Sequence, residues 1–129
     1  MPDARVTITL HDGPLPPAEV AAVEGAGASL RFEGVVRPTE EGRPLIALDY
    51  EQYPPMTEKE LHRLAADVAA RHGLLAIEVT HSVGRVANFE RSFRLDVFSA
   101  HRKPALAAAD EFIDRLKAEV PLWKVAIHA

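Results

Sequence analysis

The residues of this sequence best suited to chemistry are cations: Arg37, His101, Arg102, Lys117 and Lys124. Lysine is scarce, with four among fifteen basic residues, yet three of the four fall in SAHRKPALAAADEFIDRLKAEVPLWK, Ser99 to Lys124. An amine attacks or accepts a proton only when neutral. Crowded cations lower each other's proton affinity, so such a set predicts a partly neutral lysine. His101 and Arg102 stand just before an expected helix with Pro104 in its first turn, where a missing N–H costs nothing. The unpaired N–H groups and partial positive charge of a helix start suit the pair to an anion. Each residue also has a plainer account. A lysine in a last helical turn offsets the dipole, a His-Arg pair is commonly a surface pair, and Lys103 reads as a solvated neighbour. Trp123 reads as core filler first and as the wall of a dry pocket second. Only the whole set carries a functional reading.

Geometry constrains that set. Arg102 and Lys117 are fifteen residues apart on one expected helix, hence roughly 22 Å along its axis. One small ligand cannot touch both within a subunit. Either they serve two sites, or a dimer brings the helix start of one chain to the lysines of the other; the dimer is the preferred reading. Other templates fall away. The six histidines, His11, His62, His72, His81, His101 and His128, show neither HxH nor HExxH spacing, so no metal site is expected. There is no GxSxG elbow or glycine-rich phosphate loop, Gly25-Ala-Gly27 being too short a signal. Glu40 and Glu41 fall in a polar stretch and are expected to be solvated.

The elements that must position these cations follow from periodicity. Arg5 to Leu10 alternates as a strand with Val6, Ile8 and Leu10 on one face. After turn signals at Asp12-Gly-Pro and Pro16-Pro17, Ala18 to Glu24 is expected to form a short helix with Val20 and Val23 inward. Ala28 to Arg37 reads as a strand whose Gly34 marks a bulge or a close backbone approach. Glu40 to Pro44 is an expected mobile loop. Leu45 to Gln52 is a strand with Ile46, Leu48 and Tyr50 on one side. Thr57 and Glu60 form a capping box for a helix that buries Leu61, Leu64, Ala65, Val68 and Ala69 and stops at Gly73. Leu75 to His81 and Arg91 to Ser99 are strands, and Ser82 to Asn88 reads as a turn, with one short strand within it as the alternative. The last helix buries Leu106, Ala109, Phe112, Ile113, Leu116 and Val120, and Leu122 to Ile127 is an edge strand.

This mixture lacks a strict βαβ repeat and predicts an α+β protein of one domain over residues 1–129. A net charge of −4 argues against a nucleic-acid binder. With no cysteine, the chain offers no disulfide, thiolate ligand or thiol nucleophile. Met1 to Leu10 has no apolar core of the kind a signal peptide needs, and no run is long enough to cross a bilayer. A cytoplasmic location is expected.

Four patterns then occur in order: F-x-G-x-V-R (Phe32 to Arg37), L-x-Y-E-x-Y-x-x-M (Leu48 to Met56), S-A-H-R (Ser99 to Arg102) and L-K-x-x-x-P-x-W-K (Leu116 to Lys124). Together they resemble the MoaE family, the large catalytic subunits of molybdopterin synthase, over roughly Ser29 to Lys124. The resemblance implies an α/β hammerhead fold with an additional antiparallel β-sheet, working as a homodimer within a heterotetramer. It implies a small ubiquitin-like sulfur-carrier subunit whose C-terminal thiocarboxylate gives its sulfur to cyclic pyranopterin monophosphate. Two transfers make the molybdopterin dithiolene, and no bound metal or cofactor is involved. By position, Lys117 and Lys124 match the family's catalytic lysines, Lys117 as the covalent or proton-transfer group and Lys124 as its partner near the thiocarboxylate. Arg37, His101 and Arg102 would hold the phosphate or pterin, the last two from the neighbouring subunit, and Phe32 would line the pocket.

Two departures stand out. The family usually follows its Trp-Lys with a basic residue and a glutamate, where this chain has Val125 and Ala126, and it tends to carry a longer tail than one ending at Ala129. Reduced activity or partner affinity is the corresponding expectation. The competing readings are a non-catalytic scaffold of the same family, binding a phosphorylated ligand or a ubiquitin-like tail, and an oligomeric structural protein with a surface cation patch.

Overall fold

A computed structural model describes residues 3–129 of the chain; Met1 and Pro2, the start of the first alternating segment, lie outside the described residues. The elements in order are β1 (Arg5–Asp12), β2 (Ala28–Val35), β3 (Thr39–Glu40), β4 (Arg43–Gln52), α1 (Met56–His72), β5 (Ala76–Ala87), β6 (Arg91–Ser99), α2 (Arg102–Glu119) and β7 (Leu122–His128). β5 belongs to two sheets. Its first half lies between β1, which runs parallel to it, and β6, which runs antiparallel; β6 in turn pairs with β2. Its second half, Gly84 to Ala87, pairs with β4, and β4 also carries β7 and the short β3. This is the α+β arrangement with an additional antiparallel sheet that the motifs implied.

Alternation decides which faces are buried. Ile77 and Val79 of β5 and Phe93, Leu95 and Val97 of β6 point to one side, where α1 lays down Leu61, Leu64, Ala65, Val68 and Ala69. α2 covers the same side with Ala105, Ala108, Ala109 and Phe112, and the Phe93 and Phe112 rings stack at 6.3 Å. Burying each such ring contributes about 2–3 kcal/mol. The second sheet has a smaller core of Val36, Leu45, Leu48 and Val86. α1 ends where Gly73 adopts a left-handed conformation, its N–H bonded back into the last turn.

Several local expectations give way to longer-range chemistry. Ala18 to Glu24 is not helical, because its carbonyls are taken by the sheet: Arg31 donates to the oxygens of Ala18 and Glu19, and Val20 is exposed. Thr57 caps nothing. It lies fully buried inside α1, accepting from the Tyr53 N–H at 2.8 Å and donating to the Pro121 carbonyl at 2.6 Å, while Glu60 pairs with Arg63. Ile46 faces outward because the β4–β7 register shifts between Leu45 and Ala47. Leu106 is exposed, since the stripe of α2 facing the sheet is set by small alanines one position away. Ser82 to Ala87 continues β5 rather than turning. Glu40 to Pro44 is a tight hairpin, with Glu41 at φ 52° and Gly42 at φ 78°, the left-handed pair such a two-residue turn requires.

Candidate active site

Where the two sheets part, beside the C-terminal end of α2, lies a cleft of about 790 Å³. Four of the residues singled out in the sequence line it: Phe32, Arg37, Lys117 and Lys124. Each arrives by a different route. Phe32 stands on the open face of β2, 42% exposed, its ring 6.0 Å from that of Phe93. The expected bulge follows it: the β2–β6 register shifts between Gly34 and Val35, and a Cβ on Gly34 would lie 3.3 Å from Cβ of Phe93. Arg37 follows the end of β2. Lys117 occupies the last turn of α2, and Lys124 lies on β7 opposite Tyr50 of β4. The corner between the two lysines is held by the bond from Thr57 to Pro121.

His101 and Arg102 are not in this cleft. They are exposed at the opposite end of α2, with His101 as the residue before its first turn and its carbonyl accepting from the Ser99 hydroxyl. No acidic residue occupies that first turn, so the helix start keeps its positive end. Trp123 is not core filler. It is half exposed at the rim of the cleft, edge-on to Tyr53 with ring centroids 5.1 Å apart.

The charges inside the cleft sort into pairs. Glu33 is opposed by its own burial, but Arg94 and Arg91 bind it at 2.9 and 3.0 Å and hold its carboxyl below the ordinary range. Glu40 is not solvated; its Oε1 lies 2.8 Å from Nζ of Lys124. Among the described residues, Arg37 and Lys117 have no carboxylate within ion-pairing distance. Two cations are therefore left to face an anionic guest.

Three polar side chains of the cleft wall escaped the sequence reading. Tyr50 donates to the Ser92 hydroxyl at 2.9 Å; burial raises its phenol above the ordinary value, against the opposing pull of Ser92 and Lys124. His81 is buried with its ring 5.0 Å from Tyr50, and its Nδ1–H donates to the Ser82 carbonyl at 2.8 Å. Burial pushes that imidazole down to about 4, so it is neutral at pH 7. The signal for His81 was present in the alternation Ile77, Val79, His81. Tyr50 sits inside a quoted motif, whereas Ser92 had no local signal.

Fold and site together define a class: an α+β protein of two sheets joined through one strand, with a cysteine-free cleft at the junction that carries cations unpaired among the described residues. The family described as MoaE protein matches residues 10–119. The human molybdopterin synthase catalytic subunit is 40% identical over 102 residues, which are 79% of this chain and 54% of that protein. The subunit of the same name from Pseudomonas aeruginosa is 39% identical over 100 residues, 78% of this chain and 67% of its own. The crystal structure of molybdopterin synthase from Staphylococcus aureus aligns with 100% of this chain and 93% of its own, with a TM-score of 0.80 at 28% identity. The chain belongs to the MoaE protein family. It spans little more than half the length of the human relative.

Proposed function

We propose that this chain is the catalytic subunit of a molybdopterin synthase, a single domain over residues 1–129 acting in the cytoplasm. It moves sulfur from the thiocarboxylated C-terminus of a small ubiquitin-like subunit to cyclic pyranopterin monophosphate, a sulfurtransferase step of molybdenum cofactor biosynthesis. Two copies form a homodimer within a heterotetramer. The observation that carries the reading is the gathering of Lys117, Lys124, Arg37 and Phe32, drawn from distant motifs, around one cleft. Arg37 offers a planar fork suited to phosphate. Phe32 offers an exposed ring on which a pterin can pack. Lys117, without a carboxylate partner among the described residues, is the covalent or proton-transfer group, and Lys124 stands beside the thiocarboxylate. His101 and Arg102, at the far end of α2, reach the phosphate or pterin from the neighbouring subunit. No cysteine is needed, since the sulfur arrives on the partner.

Reconstitution tests this. The protein is mixed with a thiocarboxylated small subunit and the cyclic pterin, and molybdopterin is read as its fluorescent oxidised derivative. Product is expected, and Lys117→Ala or Lys124→Ala should each lower its rate about a hundredfold or more. Saturable binding of both partners with no product would make the chain a scaffold, the reading that Val125 and Ala126 after Lys124 favour.

A further inference from the structure

We infer that Glu40 is the positioning residue of Lys124, holding its ammonium over the cleft from the tip of the β3–β4 hairpin; this rests on the synthase reading above. Glu40 is the last residue of β3, paired across the turn with Arg43, so the hairpin fixes the direction of its side chain. A further backbone bond, Leu45 N–H to Pro38 carbonyl at 2.8 Å, ties the base of the hairpin. The Glu40 carboxylate meets Lys124 Nζ at 2.8 Å. Lys124 itself lies opposite Tyr50, and the Tyr50 hydroxyl is anchored on Ser92. Glu40, Tyr50 and Lys124 all line the same cleft, and the two charges act in opposite senses on the Tyr50 phenol.

The pair does little for stability, because the lysine side chain is 53% exposed and such ion pairs contribute little to folding. What it does is select one rotamer of a long, flexible side chain. A reacting group held in a near-attack geometry gains rate without any new contact. No acid on β7 can do this, since the same-face neighbours of Lys124 are Leu122 and Ala126. Lys117 has no such holder among the described residues. The two lysines are thus unlike, one paired with a carboxylate and one without such a partner among the described residues.

The test uses the full chain with its thiocarboxylated partner and the cyclic pterin. Glu40→Gln should lower kcat about tenfold while KM for the pterin changes less than about twofold, and Glu40→Asp should restore part of the loss. The thermal midpoint should stay put in both variants, which separates positioning from a structural role. A second readout needs no turnover. Trace labelling with acetic anhydride, quantified by mass spectrometry, should modify Lys124 more slowly than Lys117 in the wild type, and Glu40→Gln should remove that difference. Wild-type kcat in Glu40→Gln, or labelling of Lys124 unchanged by it, would overturn the assignment. If the wild type makes no product, the synthase reading fails, and the labelling result still decides the role of Glu40.

Discussion

His81 is the titratable side chain of the cleft wall whose surroundings differ most from water. Sealed between Tyr50 and Phe93, its imidazole is pushed by burial from an ordinary 6.5 to about 4. The unfolded chain therefore takes up a proton near 6.5 and the folded chain only near 4. The stability from this group is complete above the higher value and declines as pH falls toward the lower one. A loss on the order of 3 kcal/mol across that interval is expected, from about 1.36 kcal/mol per pKa unit. Urea unfolding of the wild type between pH 4 and 6.5 should show it, and His81→Phe should flatten the curve in that window. At this scale the sequence was readable wherever a residue sat inside a local pattern. Phe32, Arg37, Lys117 and Lys124 were each named from a motif a few residues long. Glu40 was misjudged because its partner is 84 positions away, and no local pattern announces an ion pair between a hairpin tip and an edge strand.

Among the elements, α1 does more than cover the sheet. The buried Thr57 hydroxyl links the Tyr53 backbone, before the helix, to the Pro121 carbonyl in the corner between α2 and β7. Thr57→Val keeps the shape but strands one buried donor and one acceptor. It should destabilise the fold by about 2–3 kcal/mol in denaturant titration, and Thr57→Ser by about 1 kcal/mol or less. The strand and helix periods that placed β1 and α1 are strong because one face of each packs on a continuous core. Two of the misses trace to contacts that lie beyond the local pattern. Ala18 to Glu24 has a helix-like composition, but Arg31 and Arg94 bind carbonyls along the Pro16 to Glu19 backbone. Likewise, Gly84 sits inside β5 at φ 85°, so a turn signal marks the passage of one strand from the first sheet to the second.

At the scale of the whole molecule, a net charge of −4 coexists with cations unpaired among the described residues of the cleft, because acids inside the cleft and outside it are paired with other basic groups. Arg115 of α2 binds Asp67 across the α1–α2 seam and Glu111 and Glu119 along its own helix, and Arg71 and His72 of α1 reach across the seam to Glu111. The separation of Arg102 from Lys117 along α2 then bears on assembly. If a site takes Lys117 from one subunit and Arg102 from the other, mixing inactive Lys117→Ala and Arg102→Ala chains rebuilds one intact site in each mixed dimer. After subunit exchange, product formation should return to about one quarter of the wild-type rate. Each variant alone should remain inactive, and no recovery on mixing would place both residues' roles within one subunit. The corner held by Thr57 has a consequence for descent. Six residues separate Lys117, on a helix end, from Lys124, on a strand. Side chains on a strand alternate, so a one-residue slip of β7 against β4 would turn Lys124 to the opposite face. Descent with a working site is therefore expected to change the composition of that interval more readily than the register of β7 on β4.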